Sequence, residues 1–409
     1  MTLPALARVA STAKRAAAQD PSRTLVLILL IAGSLGASAV AIVRVAMHVP
    51  IFAIWSGPQY LLSYDHGFVR RALPGELLHL IAAEPSSTVV AVAAFALTTC
   101  AVVGVFVLPV LLGRAIKDPL ASATAFVLVI GSPFTIALFA RDPGRFDALG
   151  VICLCLTLIL TRGIPVRWLP VTLSVSLASA VMVASQEFLV VMTPLLIFIV
   201  WRWISEGDSA RQAHRRWLSA LIIAIPSAAA ALASMLTHPE AVWLTELQRT
   251  HSLDPGSLNS VSAIAQSFEQ ANAFATENIP NVVFTTFVFG GLFILSALTL
   301  KVVARFEDRA YYFFVALGGV SAFALTAVGI DLRRWWSLAF LMAIGAAISA
   351  LRLPQSRNSQ QDIPSVASGV ARSFVIMLTL ICCLFGQNIP GIIDLGFLYH
   401  AYQALIFNV

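Results

Sequence analysis

The stretch LPVTLSVSLASAVMVASQEFLVVMTPLLIFIVWRW, residues 169–203, decides how the chain is threaded. It is largely apolar and is interrupted near its middle by Gln186 and Glu187. Each half is short of the about 20 residues that a membrane-spanning helix needs. Two structures fit the stretch: a helical hairpin that turns at this dipeptide, or one long tilted helix. The second structure would reverse the direction of every later segment.

The composition of the whole chain places this stretch in a membrane protein. The chain has 409 residues, of which 59% are hydrophobic and 11% are charged, and its mean hydropathy is +0.87. A soluble domain is about 25% charged. Apolar runs of about 20 residues recur along the sequence, and such runs must be helical because lipid offers the backbone no hydrogen-bond partners. The sequence therefore predicts an all-α polytopic integral membrane protein, with residues 1–409 forming a single transmembrane domain.

Eleven spans can be assigned, and the basic residues orient them. The tail, residues 1–23, is basic, which predicts a cytoplasmic N-terminus and, with an odd number of spans, a periplasmic C-terminus. Eighteen of the 26 Lys and Arg residues then fall on the cytoplasmic side, and the hairpin is the alternative that keeps them there. The predicted spans are residues 24–46, 88–112, 120–140, 148–161, 169–185, 188–203, 218–236, 281–300, 311–330, 337–351 and 374–393.

The loops between these spans differ in character. Residues 47–87 form the predicted first outer loop, and within it Ile51–Leu62 is apolar and aromatic but too short to span, which predicts an interfacial or re-entrant segment. Residues 237–280 form a large outer loop. Residues 352–373, rich in Ser and Gln, are predicted to form a flexible cytoplasmic loop.

Six of the eight arginines on the predicted outer side come in pairs, against the usual charge bias. Arginine makes two-pronged contacts with phosphate or carboxylate, so these pairs predict a site for an anionic substrate. The alternative is that they form salt bridges at the surface. Trp335 and Trp336, beside the last pair, are expected to be interface anchors. The predicted substrate-binding residues are Arg70, Arg71, Arg141, Arg145, Arg333, Arg334 and the neighbouring His66.

Three acids lie beside these arginines and are the candidates for a catalytic carboxylate: Asp65, Asp147 and Glu187. An ionised group at membrane depth costs about 2.5–3.5 kcal/mol and is usually paired or functional. Asp147 could instead hold helix ends together with an arginine. Glu187, at the turn of the hairpin, needs a partner, and an outer arginine is the expected one.

The sequence also argues against several other kinds of site. The five cysteines all lie in apolar runs and lack zinc-like spacing, so no metal site is predicted, although a divalent cation is compatible with the chemistry below. No cofactor is predicted. The basic residues are scattered over many short loops, which argues against nucleic-acid binding.

Two of the polar loops carry a resemblance to known families. The first reads Tyr-Asp-x-Gly-Phe-x-Arg-Arg (residues 64–71) and the second reads Arg-Asp-x-x-Arg-x-Asp (residues 141–147). With the many spans, they resemble bacterial polytopic membrane glycosyltransferases of the GT-C type and lipid-linked glycan polymerases such as the O-antigen polymerases. The GT-C resemblance implies that Asp65 is a catalytic base. The polymerase resemblance implies that the outer arginines hold a diphosphate. The chain departs from the GT-C type because it lacks a separate C-terminal outer domain.

These observations lead to one expected function and two alternatives. The expected function is glycosyl transfer or glycan polymerisation on the periplasmic face of the bacterial inner membrane. The donor is expected to be a polyprenyl-phosphate-linked or polyprenyl-diphosphate-linked sugar, and the acceptor a glycan or a lipid, with membrane lipids around the protein. One alternative is a transporter or flippase of an anionic lipid or solute, which would use the same arginines without chemistry. The other is a non-catalytic assembly subunit.

Overall fold

The computed structural model describes residues 56–65, 71–82, 84–114, 116, 119–132, 134–141, 143–163, 167–205, 210–237, 249, 279–304, 308–325 and 332–351. Within these ranges every regular element is a helix. The α-helices are α1 (Leu73–His79), α2 (Ser87–Gly113), α3 (Pro119–Ile130), α4 (Ile136–Arg141), α5 (Ala148–Gly163), α6 (Trp168–Ser185), α7 (Thr193–Ile204), α8 (Ala210–Leu236), α9 (Ile279–Ala304), α10 (Arg309–Leu325) and α11 (Leu332–Ala350). Two 3₁₀ helices span Gly57–Leu61 and Glu187–Met192.

Among the described residues, five helices are long and apolar enough to cross a membrane. The predicted all-helical class is confirmed for these residues, and the length and composition of the five helices support a membrane protein. They span Ser87–Gly113, Trp168–Ser185, Glu187–Ile204, Gln212–Leu236 and Thr286–Ala304, and four shorter apolar helices accompany them. The predicted spans 24–46 and 374–393, the tail 1–23 and the loop 352–373 lie outside the described residues, as does most of the loop 237–280. The number of eleven spans and the positions of the termini therefore stay predictions.

The stretch 169–203 is a hairpin, so the single long helix is wrong. Gln186 has an extended backbone (φ −155°, ψ 101°), which ends α6 and separates it from the second 3₁₀ helix. The two arms then run side by side, because the hydroxyls of Ser179 and Thr193 lie 3.3 Å apart although the residues are 14 apart in the chain. Two polar residues inside one apolar run are sufficient to turn the chain.

The single span predicted for residues 120–140 is wrong at its middle, where α3 ends and α4 begins. The intervening sequence starts Gly131-Ser132-Pro133, and proline lacks the amide hydrogen that a continuous helix would need. Side chains take over backbone hydrogen bonds at the break. The Thr135 hydroxyl donates to the carbonyl of Val129 at 2.6 Å, and the amide of Phe134 donates to Ser132 Oγ at 3.2 Å.

Hydroxyl groups join α6 to α8 along their length. Thr172 Oγ1 and Ser219 Oγ lie 3.0 Å apart, Ser179 Oγ and Ser227 Oγ lie 2.8 Å apart, and Ser176 Oγ donates to a backbone carbonyl of α8 at 2.6 Å. Small hydroxyl residues let helix backbones approach closely and supply hydrogen bonds between helices in lipid. This contact fixes the hairpin against the next helix of the chain.

From α5 to α11 successive helices alternate in direction, so their ends fall into two groups. We call the end where α5 and α11 begin and α6 stops the acid–arginine end, after Asp147, Glu187 and Arg334. At the opposite end, Arg162 of α5 donates to the carbonyl of Leu111 in α2 at 2.9 Å. Also at the opposite end, Arg202 of α7 pairs with Asp308 before α10 at 2.5 Å.

The first 3₁₀ helix belongs to a small hydrophobic cluster at the acid–arginine end, in which Tyr60, Leu61 and Leu62 are buried. The ring of Tyr60 packs edge-on against Phe146 with centroids 5.0 Å apart. Ile51–Leu62 was expected at the interface or as a re-entrant segment. Its described part, from residue 56, is buried within the protein.

The close approach of α10 to α11 generates a stability prediction. A Cβ added to Gly318 would lie 3.0 Å from Ala339 Cα, so Gly318→Leu must push the two helices apart. Overpacking of this kind costs about 1–3 kcal/mol. Gly291→Leu is the matched control, because nothing lies within 4 Å of the position of its added Cβ. Thermal unfolding in detergent should show a clear loss of stability for Gly318→Leu and little change for Gly291→Leu. Equal losses of stability would contradict the packing described.

Candidate functional site

Asp147 and Arg334 form a buried ion pair that joins the start of α5 to the start of α11. Arg334 Nε donates to Asp147 Oδ2 at 2.6 Å, and Nη2 donates to Oδ1 at 2.9 Å. The two residues are 5% and 7% exposed. Both carboxylate oxygens are therefore engaged by one guanidinium. A third group, Arg145, approaches more loosely, with its Nε 3.7 Å from Asp147 Oδ2 and its side chain 16% exposed.

Glu187 and Arg71 form a second pair of the same kind, at the turn of the hairpin. Arg71 Nε donates to Glu187 Oε2 at 3.0 Å, and Nη2 donates to Oε1 at 2.6 Å. The residues are 3% and 8% exposed, and the guanidinium also lies over the ring of Phe188, 5.6 Å from its centroid. The partner of Glu187 is Arg71, one of the arginines predicted to lie on the outer side.

Arg71 adopts a backbone conformation that few residues with a side chain adopt. Its φ is +65°, in the left-handed region. Such a conformation costs on the order of 1–3 kcal/mol and persists only where the surroundings enforce it. The two hydrogen bonds to Glu187 and the stacking on Phe188 are the described contacts that hold the side chain. The pair therefore fixes the backbone of the first polar loop against the hairpin.

A turn at Pro143 and Gly144 is fixed from three sides. The Tyr60 hydroxyl donates to the Gly144 carbonyl at 2.7 Å, and the Gly144 amide donates to Thr98 Oγ1 at 2.7 Å. Ser56 Oγ donates to the Pro143 carbonyl. The carbonyl and the amide of Gly144 are thus both hydrogen-bonded inside the protein, to the first 3₁₀ helix and to α2.

Glycine is required at this turn. Gly144 has φ +83°, and an added Cβ would lie 2.9 Å from Ala94 Cα in α2. Only a residue without a Cβ fits so close to another backbone. The turn sets the positions of the two residues that follow it in the site, Arg145 and Asp147.

The first polar loop carries an exposed carboxylate. Asp65 is exposed, and its Oδ2 accepts a hydrogen bond from Ser63 Oγ at 2.7 Å. The amide of Tyr64 donates to Glu76 Oε2 at 2.8 Å, which ties the loop to α1. Burial, and then the nearby charge of Glu76, raise the pKa of the Tyr64 hydroxyl to about 12, so it stays protonated at neutral pH.

The structure thus brings together five of the residues singled out in the sequence: Asp147 with Arg334 and Arg145, and Glu187 with Arg71. Asp65 belongs to the same loop as Arg71. Arg70 and His66 lie outside the described residues. For Arg141 and Arg333 the structure describes the backbone, in α4 and α11, but not the side chain. The roles assigned to all of these residues stay predictions.

The three acids are not chemically equivalent. Asp147 and Glu187 each accept two hydrogen bonds from a guanidinium, so their oxygens are occupied and poorly placed to take a proton from a substrate. This geometry fits the alternative in which acid–arginine pairs hold helix ends together. Asp65 is the one of the three that is exposed.

Sequence reasoning missed two buried donors beside these pairs. Gln186 Nε2 and Trp336 Nε1 have no hydrogen-bond partner in the part of the chain that the structure describes. The sequence analysis named Gln186 and Trp336 for other reasons. It expected Trp335 and Trp336 to be interface anchors, and this expectation is wrong, because the two tryptophans are only 4% and 6% exposed. Trp336 packs against Phe293 of α9, with ring centroids 5.5 Å apart. A local sequence window cannot tell such burial from a position at the membrane surface.

No protein-family model matches the chain, and no curated protein matches it. Among the described residues, no group of three or more His, Cys, Asp or Glu residues is placed to hold a metal ion. The function is therefore argued from the geometry above and from the sequence motifs.

The Arg71–Glu187 pair generates a stability prediction. Arg71→Gln leaves the Glu187 carboxylate buried without its partner, and Glu187→Gln leaves the guanidinium in the same position. Removing one member of a buried pair lowers the free energy of unfolding by about 3–5 kcal/mol. In the double variant this free energy should fall by clearly less than the sum of the two single losses. Chemical unfolding in detergent measures the free energy of unfolding of the two single variants and of the double variant. Asp65→Asn is the control, since an exposed substitution changes stability by about 0.5 kcal/mol or less. Single variants as stable as the control would contradict this structural role.

Proposed function

We propose that the protein is a membrane glycosyltransferase or glycan polymerase whose site lies at the acid–arginine end, with a polyprenyl-phosphate-linked or polyprenyl-diphosphate-linked sugar as donor. One observation carries the proposal. Four polar segments that are far apart in the sequence meet there: the first loop with Asp65 and Arg71, the turn with Arg145 and Asp147, the hairpin turn with Glu187, and the start of α11. Structural ion pairs alone do not require an exposed acid or additional arginines beside them.

The arginines divide into two groups under this proposal. Arg71 and Arg334 hold the segments together, because each spends two donors on a buried carboxylate. The phosphates of the donor are bound by the arginines outside these two pairs and by His66. Those arginines are Arg70, Arg141, Arg145 and Arg333. Arginine in such a position also stabilises the negative charge that grows on the leaving polyprenyl phosphate.

Asp65 is the proposed general base. It accepts the proton of the attacking acceptor hydroxyl while that oxygen bonds to the anomeric carbon of the donor sugar. The bond from this carbon to the phosphate oxygen breaks, and the polyprenyl phosphate or diphosphate leaves with the electron pair. The hydrogen bond from Ser63 orients the Asp65 carboxylate. Asp147 and Glu187 rank behind Asp65 because their oxygens are already engaged.

The proposed topology has eleven spans, a cytoplasmic N-terminus and a periplasmic C-terminus, in the inner membrane of a bacterium. Eighteen of the 26 Lys and Arg residues then face the cytoplasm, which supports this orientation. The acid–arginine end faces the periplasm, where a polyprenyl-linked sugar and a growing glycan meet.

A transporter or flippase of an anionic lipid or solute is the second candidate, and the break between α3 and α4 favours it. Discontinuous helices often frame substrate sites in secondary transporters. At the break, the hydroxyls of Ser132 and Thr135 make hydrogen bonds with backbone groups, a role that other backbone groups have in a continuous helix. A transporter would use the same arginines but form no glycosidic bond.

The proposed chemistry predicts how Asp65→Asn behaves. The variant keeps the shape of the side chain but removes the proton acceptor, so transfer should fall by about 10²–10⁴-fold while binding of the donor lipid stays close to wild type. The assay supplies the purified full chain with a polyprenyl-linked sugar and a glycan acceptor and follows the product by mass spectrometry. Arg145→Ala should do the opposite and weaken donor binding, by about 1.5–3 kcal/mol per charged hydrogen bond lost.

Two outcomes of this assay would change the assignment. Full activity of Asp65→Asn would remove Asp65 as the base and leave Asp147 and Glu187 as candidates. No product with any donor, together with measurable translocation of the lipid by wild type, would replace the enzyme by the transporter.

The proposed orientation is tested by cysteine labelling. In a variant whose own five cysteines are replaced by serine, Pro255→Cys and Asn259→Cys should react with a membrane-impermeant maleimide added to intact spheroplasts. Ser359→Cys should react only after the membrane is opened. Labelling of Ser359→Cys from outside would reverse the orientation and move the site to the cytoplasmic face.

A further inference from the structure

Three arginines gather where α6 and α8 begin, at the opposite end from the site above. Arg167 directly precedes α6, and Arg215 and Arg216 lie near the start of α8. The two helices are in register there, because Thr172 and Ser219 are joined by a 3.0 Å hydrogen bond. Arg215 is one helical turn before Ser219, and Arg167 is little more than one turn before Thr172. We call Arg167, Arg215 and Arg216 the arginine patch.

The described residues provide no carboxylate for this patch. The acid nearest to it in the described part of this end, Asp308, is held by Arg202 at 2.5 Å. Arg167 and Arg215 are exposed. Arg216 Nε is buried and finds no acceptor among the described residues. Within the described part of the chain the patch therefore has no compensating carboxylate, in contrast to the paired arginines of the acid–arginine end.

The patch lies at the start of two helices that are long and apolar enough to cross a membrane. The apolar spans Trp168–Ser185 and Gln212–Leu236 start beside it. Apolar side chains are exposed within the next turns: Leu169 by 42% and Leu173 by 52% on α6, and Leu221 by 53% on α8. Trp217, 64% exposed, packs edge-on against Trp201 with ring centroids 4.8 Å apart, as expected of a residue at a membrane interface.

We propose that the arginine patch binds the headgroup of an anionic phospholipid. The lipid phosphate supplies the acceptors that the guanidinium groups lack, and its acyl chains lie along the exposed leucines of α6 and α8. This combination of charge above an apolar wall fits a lipid better than a free phosphate ion, which would gain nothing from the leucines. The site is separate from the proposed active site and does not depend on the proposed function.

The experiment measures lipid binding to the purified full chain in detergent by native mass spectrometry. Phosphatidylglycerol is titrated against phosphatidylcholine of the same acyl chains. Wild type should prefer the anionic lipid, and the Arg215→Gln/Arg216→Gln double variant should bind it roughly 25-fold more weakly, since one arginine near an anionic headgroup contributes about fivefold. Arg215→Lys/Arg216→Lys should keep most of the preference. Arg309→Gln, which removes an exposed arginine elsewhere at the same end, should change it less than about twofold.

Several results would overturn the proposal. Equal binding of the two lipids by wild type would show that the patch is neutralised, for example by Glu206 and Asp208, which lie outside the described residues. Unchanged preference in the double glutamine variant would place the lipid elsewhere. Displacement of the lipid by inorganic phosphate at equal concentration would show a simple anion site. If the double variant does not fold, Arg167→Gln outside the helices serves instead and should lose about fivefold.

Discussion

Everything at the acid–arginine end depends on the pairing of buried carboxylates with buried guanidinium groups. A charge in a low-dielectric medium is costly unless it is paired and hydrogen-bonded, and each of the two pairs meets this requirement with two hydrogen bonds. A buried pair adds little net stability compared with apolar residues of the same size, whereas half a pair is strongly unfavourable. The pairs therefore act mainly by selecting one arrangement of the chain, because another arrangement would leave Asp147 or Glu187 buried without the guanidinium that engages both of its oxygens.

This selection has a direct effect on how the candidate site is built. Asp147 and Arg334 are 187 positions apart in the chain, and Arg71 and Glu187 are 116 positions apart. The turn at Gly144 adds a connection to the first 3₁₀ helix. Reactive groups must be held in place by supporting residues that are themselves packed and hydrogen-bonded. The consequence is a division of labour: arginines that hold the support are not the ones that are best placed to hold a substrate.

The class of the fold and the hairpin at Gln186 could be predicted because both depend on local properties, namely apolar length and the position of charges. The partner of Glu187 could be predicted as a type of residue, because burial demands a cation. Which arginine it would be could not, since that depends on how four segments pack. The break at Ser132 was missed for a different reason: its signal, a glycine and a proline, sits in a run whose average hydropathy is that of a normal span. Trp336 was misplaced because burial against α9 is a tertiary property.

The Asp147–Arg334 pair also sets the order in which the protein can be completed. Arg334 is synthesised 187 residues after Asp147, which at about 5–20 residues per second means roughly 10–40 s. Through that interval the acid must be hydrated or covered by something other than its final partner. The start of α5 can therefore settle at its final depth only when α11 arrives. Biogenesis of this chain thus includes a late docking step, in which α11 brings the arginine that Asp147 has lacked until then.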